Sequence, residues 1–191
     1  MRRHRRLSNR PSKPTSGSES SSTEAQATSL GVTDLVFEDT DPQMRASALD
    51  RTPWSNEFKW DVVQVLARHM NMYRVTERGV LFHEHAAEAF MCIVLEGRVK
   101  VVKETSDGEP KVLTEFGNGK VIGEMSLLDG RPRSATLVAS TDVNVLIFAA
   151  NDLNRMLARN PEVAFRLLQR IARDVSLRLR HTSGQLVDLM K

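Results

Sequence analysis

A single cysteine, Cys92, among 191 residues leaves no second thiol with which to form an intramolecular disulfide. It sits inside the apolar run Met91–Leu95, the setting of a small buried hydrophobe rather than of a nucleophile. Near the N-terminus no apolar stretch is long enough for a secretory leader or a membrane span. The Arg- and Ser-rich start also lacks the interleaved apolar face of an organelle transit peptide, so the expected location is cytoplasmic. Missing too are a catalytic triad pattern, a kinase domain and a channel helix, and the chain is read as a non-enzyme.

Charge of one sign is scarce in each terminal segment. Residues 1–13 have six bases and no acid, whereas residues 14–50 have one base, Arg45, and seven acids. The two segments carry +6 and −6, and residues 51–191 carry +3. The basic balance therefore belongs mostly to a tail and does not argue for a basic binding face on the folded part. Apolar residues are equally sparse up to residue 50, with Leu30, Val32, Leu35, Val36 and Phe37 as one brief cluster. Too little surface can be buried there to offset chain entropy, and residues 1–50 are expected to be a disordered tail and linker. Within it, Arg5-Arg6-Leu7-Ser8 has the form of a basophilic kinase site, and residues 34–39 that of a partner-docking patch or of a chance apolar cluster.

From Ser55, an expected N-cap, the residues Phe58, Val62, Val63, Leu66 and Met70 recur at helical spacing. After Met72 the period changes to short runs of Val, Ile, Leu and Phe. Eight strands are predicted: residues 72–75, 80–83, 91–95, 98–103, 111–116, 121–122, 134–139 and 143–148. Turn signals separate them, among them Glu96-Gly97, Ser106-Asp107-Gly108 and Asp129-Gly130. Such punctuation predicts a β-sandwich or jelly roll. Asn151 is read as the cap of a short helix through Leu157. Asn160-Pro161 opens a long one striped by Val163, Leu167, Leu168, Ile171, Val175 and Leu179, which Gly184 is expected to kink or end.

The stretch Gly119–Ala139 carries the chemistry. Val121-Ile122 end a strand, Gly123-Glu124 turn the chain into one short apolar helical turn, Met125–Leu128, and the free N–H groups of a helix start attract anions. After Asp129-Gly130 and Pro132, Arg133 returns beside that start, where its planar fork can grip two phosphate oxygens. Glu124 would repel a phosphate unless a hydroxyl stood between them, and a ribose supplies one. The alternative for these two residues is an exposed ion pair on a loop.

Gly123-Glu124 followed by Arg133-Ser134-Ala135-Thr136 resembles the phosphate-binding cassette of cyclic-nucleotide-binding domains. The resemblance runs from about Phe58 to about Arg180, with Gly79-Val80-Leu81-Phe82 and Val94-Leu95-Glu96-Gly97-Arg98-Val99 as further parts of it. It implies an α+β jelly roll (double-stranded β-helix) of about eight strands, with one N-terminal helix and a C-terminal helix pair, over residues 51–191. It also implies that Glu124 takes the ribose 2′-hydroxyl and Arg133 the cyclic phosphate. Gly123, Met125, Ser126, Ser134, Ala135 and Thr136 complete the cradle. One departure is His85, which stands where the family turns at glycine.

The base is less constrained. After Phe165 the only ring is that of His181, so the aromatic purine cap common in the family must be replaced. Aligned on Asn160-Pro161, Arg178 occupies the position of a base-contacting threonine in bacterial activators, and a guanidinium can stack on a purine or donate to guanine. Family frequency puts cyclic AMP ahead of cyclic GMP. The chain stops at Lys191 without the helix-turn-helix of the catabolite activators, so direct DNA reading is not expected. The expectation is a cyclic-nucleotide sensor that moves its C-terminal helix and signals to an effector protein, with a homodimer through that helix as a further partner. Beside it stand a scaffold protein with a vestigial pocket and a cupin-like metalloenzyme using His83 and His85. The second of these lacks the usual ligand spacing and a third nearby histidine, and no metal is expected.

Overall fold

Short β-branched and aromatic runs between Asn71 and Ala149 pair into antiparallel strands, as residues that fit a half-buried pleated surface do. The structure, a computed structural model, describes residues 34–189. Among these residues nine strands form: β1 Val36–Glu38, β2 Asn71–Val75, β3 Val80–Phe82, β4 Phe90–Glu96, β5 Val99–Glu104, β6 Pro110–Phe116, β7 Val121–Ile122, β8 Thr136–Ala139 and β9 Val143–Ala149. They build a five-stranded sheet, β1-β2-β9-β4-β7, facing a four-stranded sheet, β3-β8-β5-β6.

Strand β4 is buried on both faces, and its alternation sorts the interior into two cores. Phe90, Cys92 and Val94 meet Leu81, Phe82, Val99, Leu137, Val145 and Ile147 between the sheets. Met91, Ile93 and Leu95 face the helices, where they pack with Leu49, Val63, Leu66, Met156, Leu167 and Ile171. Each fully buried aliphatic side chain contributes about 1.5–3 kcal/mol relative to exposure. Cys92 is part of the inter-sheet core as expected, with its thiol pushed up to about 12 by burial.

The helices are α1 Pro42–Asp50, a 3₁₀ turn Pro53–Glu57, α2 Trp60–Arg68, α3 Glu124–Asp129, α4 Ala150–Arg159 and α5 Pro161–Leu189. The folded part thus begins well before residue 51. Strand β1 pairs with β2, Val36 opposite Arg74, and the expected docking patch is this strand and its flanks. Helix α1 starts on an Asp41 cap whose carboxylate accepts from the Met44 N–H at 2.7 Å, followed by Pro42. It buries Ala46 and Leu49, and Arg45 donates from Nε to the Ala67 carbonyl at 3.1 Å. Small residues carry this contact, and polar flanking sequence conceals it in the average composition. The remaining tail, residues 1–33 with the Arg5–Ser8 motif, lies outside the described residues.

Three expected boundaries move. Ser55 caps nothing in α2. It lies in the 3₁₀ turn, its hydroxyl donating to the carbonyls of Asp50 and Thr52, and α2 starts after Lys59. Asn151 lies inside the first turn of α4, where the Asp152 carboxylate accepts from the Ala149 N–H at 3.3 Å. Gly184 neither ends nor caps α5, because an exposed glycine costs only about 1 kcal/mol against alanine and the helix runs on to Leu189. Among the described residues no helix is long and apolar enough to cross a membrane.

Candidate functional site

Edge strand β7 pairs with β4, Ile122 opposite Cys92, and delivers Gly123 to the mouth of the inter-sheet core. Gly123 has φ +82°, and a Cβ there would lie 2.6 Å from Arg133 Nη1 and 2.9 Å from the Phe90 carbonyl oxygen. Only glycine fits both the backbone and the space. The short helix α3 follows and closes on Gly130, whose N–H donates to the Ser126 carbonyl at 3.1 Å.

The chain then returns through Pro132 to Arg133, which is held by its backbone. Its N–H donates to the Ala86 carbonyl, and its carbonyl accepts from the His85 N–H, both at 2.9 Å. His85 has φ +66°, so the left-handed turn expected to fall on a glycine is present here on a residue with a Cβ.

Residues 133, 135, 137 and 139 are all buried, so the alternation of β8 continues back through the three residues that precede it and Arg133 points inward. It is 2% exposed rather than lying on an open loop. Nη1 donates to the carbonyls of Phe90 at 2.7 Å and Gly123 at 2.9 Å. The guanidinium lies 4.1 Å from the ring centre of Phe82 and 4.2 Å from that of Phe90. Nε and Nη2 are buried and find no hydrogen-bond partner among the described residues. Burial pulls the group down to about 10.

Glu124, the first residue of α3, is also 2% exposed. Oε1 accepts from Arg178 Nη1 at 2.7 Å, while Oε2 is buried without a partner among the described residues. Burial pushes its carboxyl above the ordinary glutamate value, against the pull of Arg178. Arg178 comes from α5, donates from Nη2 to the Val121 carbonyl at 2.9 Å, and lies 5.4 Å from the ring centre of Phe116. The long helix is thereby tied to the carboxylate beside the buried arginine.

The structure brings together Gly123, Glu124, Arg133 and Arg178, with Ser126 and Ala135 buried beside them. Met125 is 51% exposed on the outer side of α3. The Ser134 side chain is exposed, and its carbonyl accepts from Lys103 Nζ at 2.7 Å. Thr136 departs from the expected cradle. One residue out of phase with Arg133 and Ala135, it faces a separate 440 Å³ cavity lined also by His83, Glu84, His85, Val102 and Val138, and its hydroxyl accepts from the Glu84 N–H at 2.9 Å. No group of three His, Cys, Asp or Glu residues among the described ones is placed to hold a metal ion, His83 and His85 included.

Sequence reasoning missed Phe82, Phe90 and Phe116, the rings against the two arginines. The alternation of Arg133 with Leu137 and Ala139 was the available signal for an inward arginine, and the rings themselves are brought in by strands distant in sequence.

The family profile described as cyclic nucleotide-binding domain matches residues 74–160. Over 98 residues the chain is 33% identical to the CRP-like cAMP-activated global transcriptional regulator of Mycobacterium tuberculosis, a match covering 51% of this chain and 42% of that protein. In structure it is similar to a cyclic nucleotide-binding domain from Methylobacillus flagellatus, with TM-score 0.72 and 25% identity over 81% of this chain and 89% of the other. It is also similar to the catabolite activator protein of Thermus thermophilus, with TM-score 0.63 and 25% identity over 73% and 63% of the two chains.

Proposed function

We propose, from the premise that this chain belongs to the cyclic nucleotide-binding domain family, that it senses a cyclic nucleotide and reports occupancy through α5. One observation carries the reading: a buried guanidinium with two unpartnered donors stands beside a buried carboxylate with one unpartnered oxygen. Buried charges left short of hydrogen bonds are costly, so such a pair calls for a ligand that satisfies both. A cyclic nucleotide offers an anionic phosphate with acceptor oxygens to Arg133 and a ribose hydroxyl to Glu124 Oε2 on one rigid ring system. When bound it supplies charge and hydrogen bonds only, with no reaction.

Entry requires movement. The unpartnered atoms are sealed from solvent, and Arg178 spans from α5 to Glu124. A ligand that binds the open arrangement better shifts the helix equilibrium by that difference in affinity. Cyclic AMP is favoured over cyclic GMP, in keeping with the cAMP-activated mycobacterial relative.

An effector protein or a second copy receives the signal along α5. Phe165, Leu179 and Leu186 are exposed on this helix, and with Leu168, Ala172 and Val175 they follow the three-and-four spacing of a helix-pairing seam. Calorimetric titration of the whole chain with cyclic AMP and cyclic GMP tests the sensing role, with Arg133→Ala as control. Saturable binding lost in the control supports it. A folded wild-type chain that binds neither nucleotide would leave the scaffold reading in its place.

A further inference from the structure

The segment that carries Arg133 is laced to the turn before β4 by contacts outside the ligand site. Lys103, near the end of β5, donates from Nζ to Glu84 Oε1 at 2.5 Å and to the Ser134 carbonyl at 2.7 Å. Glu84 Oε2 accepts from the Glu104 N–H at 3.2 Å, so both carboxylate oxygens are held by β5. The Glu84 N–H donates to the Thr136 hydroxyl, and the next two residues exchange backbone bonds with Arg133. The Glu84 side chain is 11% exposed, and that of Lys103 is 48% exposed.

A lysine at a strand end is commonly just a solvated cation, and an exposed lysine–glutamate pair contributes little by itself. The Ser134 carbonyl sets this one apart, because it belongs to the peptide unit joining Ser134 to Ala135, one residue beyond Arg133. Lys103 ties that unit to the Glu84 turn, which in turn holds the backbone of Arg133 on its other side. The lacing also keeps His85 in its left-handed conformation, since the His85 N–H is one of its bonds. His85 Nε2 lies 3.8 Å from Glu84 Oε1, on the exposed side of the same carboxylate.

We propose that Lys103 is a positioning residue for the nucleotide site, locking residues 133–135 through Glu84 and the Ser134 carbonyl so that the arginine side chain is presented inward. The inference rests on the reading of Arg133 as the phosphate-binding residue. A ligand group must be held to within a fraction of an ångström to bind well, and residues that fix its backbone govern affinity without touching the ligand.

The test compares wild type, Lys103→Met and Lys103→Arg as whole chains, by hydrogen exchange without ligand and by calorimetric titration with cyclic AMP. Lys103→Met is expected to speed exchange at the amides of His85 and Arg133 and to weaken cyclic AMP binding, each by about tenfold, with the unfolding midpoint little changed. Lys103→Arg, which can still bridge a carboxylate and a carbonyl, is expected to restore both. Unchanged exchange at those amides in Lys103→Met would overturn the lock. Faster exchange with unaltered affinity in a chain that binds would overturn its role in binding. If wild type binds no cyclic nucleotide yet exchange accelerates in Lys103→Met, the lock stands and the reading of Arg133 as a phosphate ligand falls.

Discussion

Arg178 reaches from α5 to Glu124 at 2.7 Å, joining the longest of the described helices to the carboxylate beside the buried Arg133. Its guanidinium is committed to Glu124 and to the Val121 carbonyl rather than held free for a base. Arg178→Met is therefore expected to alter the affinities for cyclic AMP and cyclic GMP by the same factor, acting through Glu124. Competition titrations of the two nucleotides measure it, and a selective loss of cyclic GMP binding would return Arg178 to a base-reading role.

Arg133, the proposed phosphate ligand, carries a folding cost. Its guanidinium is buried with two donors unpaired, and replacing buried ionic groups by apolar ones of similar volume is often neutral or stabilising by about 1–4 kcal/mol. Arg133→Met should fill the space between Phe82 and Phe90, raise the stability of the ligand-free chain and abolish nucleotide binding. Urea unfolding and calorimetry on the same preparation check both halves.

Gly123 and His85 meet the same left-handed backbone demand with and without a glycine. Gly123→Ala forces a Cβ against Arg133 and the Phe90 carbonyl at positive φ, and is expected to destabilise by about 2 kcal/mol or more and to weaken binding. His85→Gly relieves a left-handed residue and is expected to stabilise by about 1 kcal/mol while binding persists. Thermal unfolding of the two variants should shift in opposite directions from wild type.

The elements most legible in the sequence were those with strict periodicity. Strands β2 to β9 follow alternating or continuous apolar runs, and Pro161 opens α5 as its position indicates. Strand β1 and helix α1 were hidden, because three strand residues and a helix of small side chains leave little periodic signal beside a polar tail. At the site, Gly123, Glu124 and Arg133 were legible through their fixed spacing. Thr136 was misplaced because adjacency in sequence means opposite faces on a strand. The pairing of Arg178 with Glu124 joins residues 54 apart, which no local pattern encodes.

Burial raises the Glu124 carboxyl above its ordinary range, so the folded chain holds that proton more tightly than the unfolded one. Its share of stability is complete at acid pH, below the unfolded-state value, and is lost as the pH rises through the folded value. Glu124→Gln should flatten this loss above the ordinary glutamate range. Arg178→Met, which removes the cation opposing burial, should extend the loss to higher pH with its onset unchanged. Urea midpoints across that range for the three proteins provide the comparison, and parallel curves would rule out the buried carboxyl as their cause.

Ligand-driven motion of α5 should appear as altered hydrogen exchange in residues 161–183 on adding cyclic nucleotide, and identical exchange with and without ligand would exclude a moving helix. Assembly along the same helix is checked by sedimentation. Leu179→Lys together with Leu186→Lys should convert a dimer to monomers with the domain still folded, because both side chains are exposed in the single chain.

Strand β4 is paired on both edges, with β9 and β7, and the carbonyl of its first residue, Phe90, accepts from Arg133. The element covered on both faces is also the one with the least freedom to shift. The arginine is thus gauged against a fixed datum, relative to which the proposed reading has α5 move. A detector needs a stationary reference as much as a moving pointer. In this chain the strand that supplies the reference is the one whose side chains divide the interior in two, so mutations that loosen β4 should blur the difference between liganded and empty states before they unfold the domain.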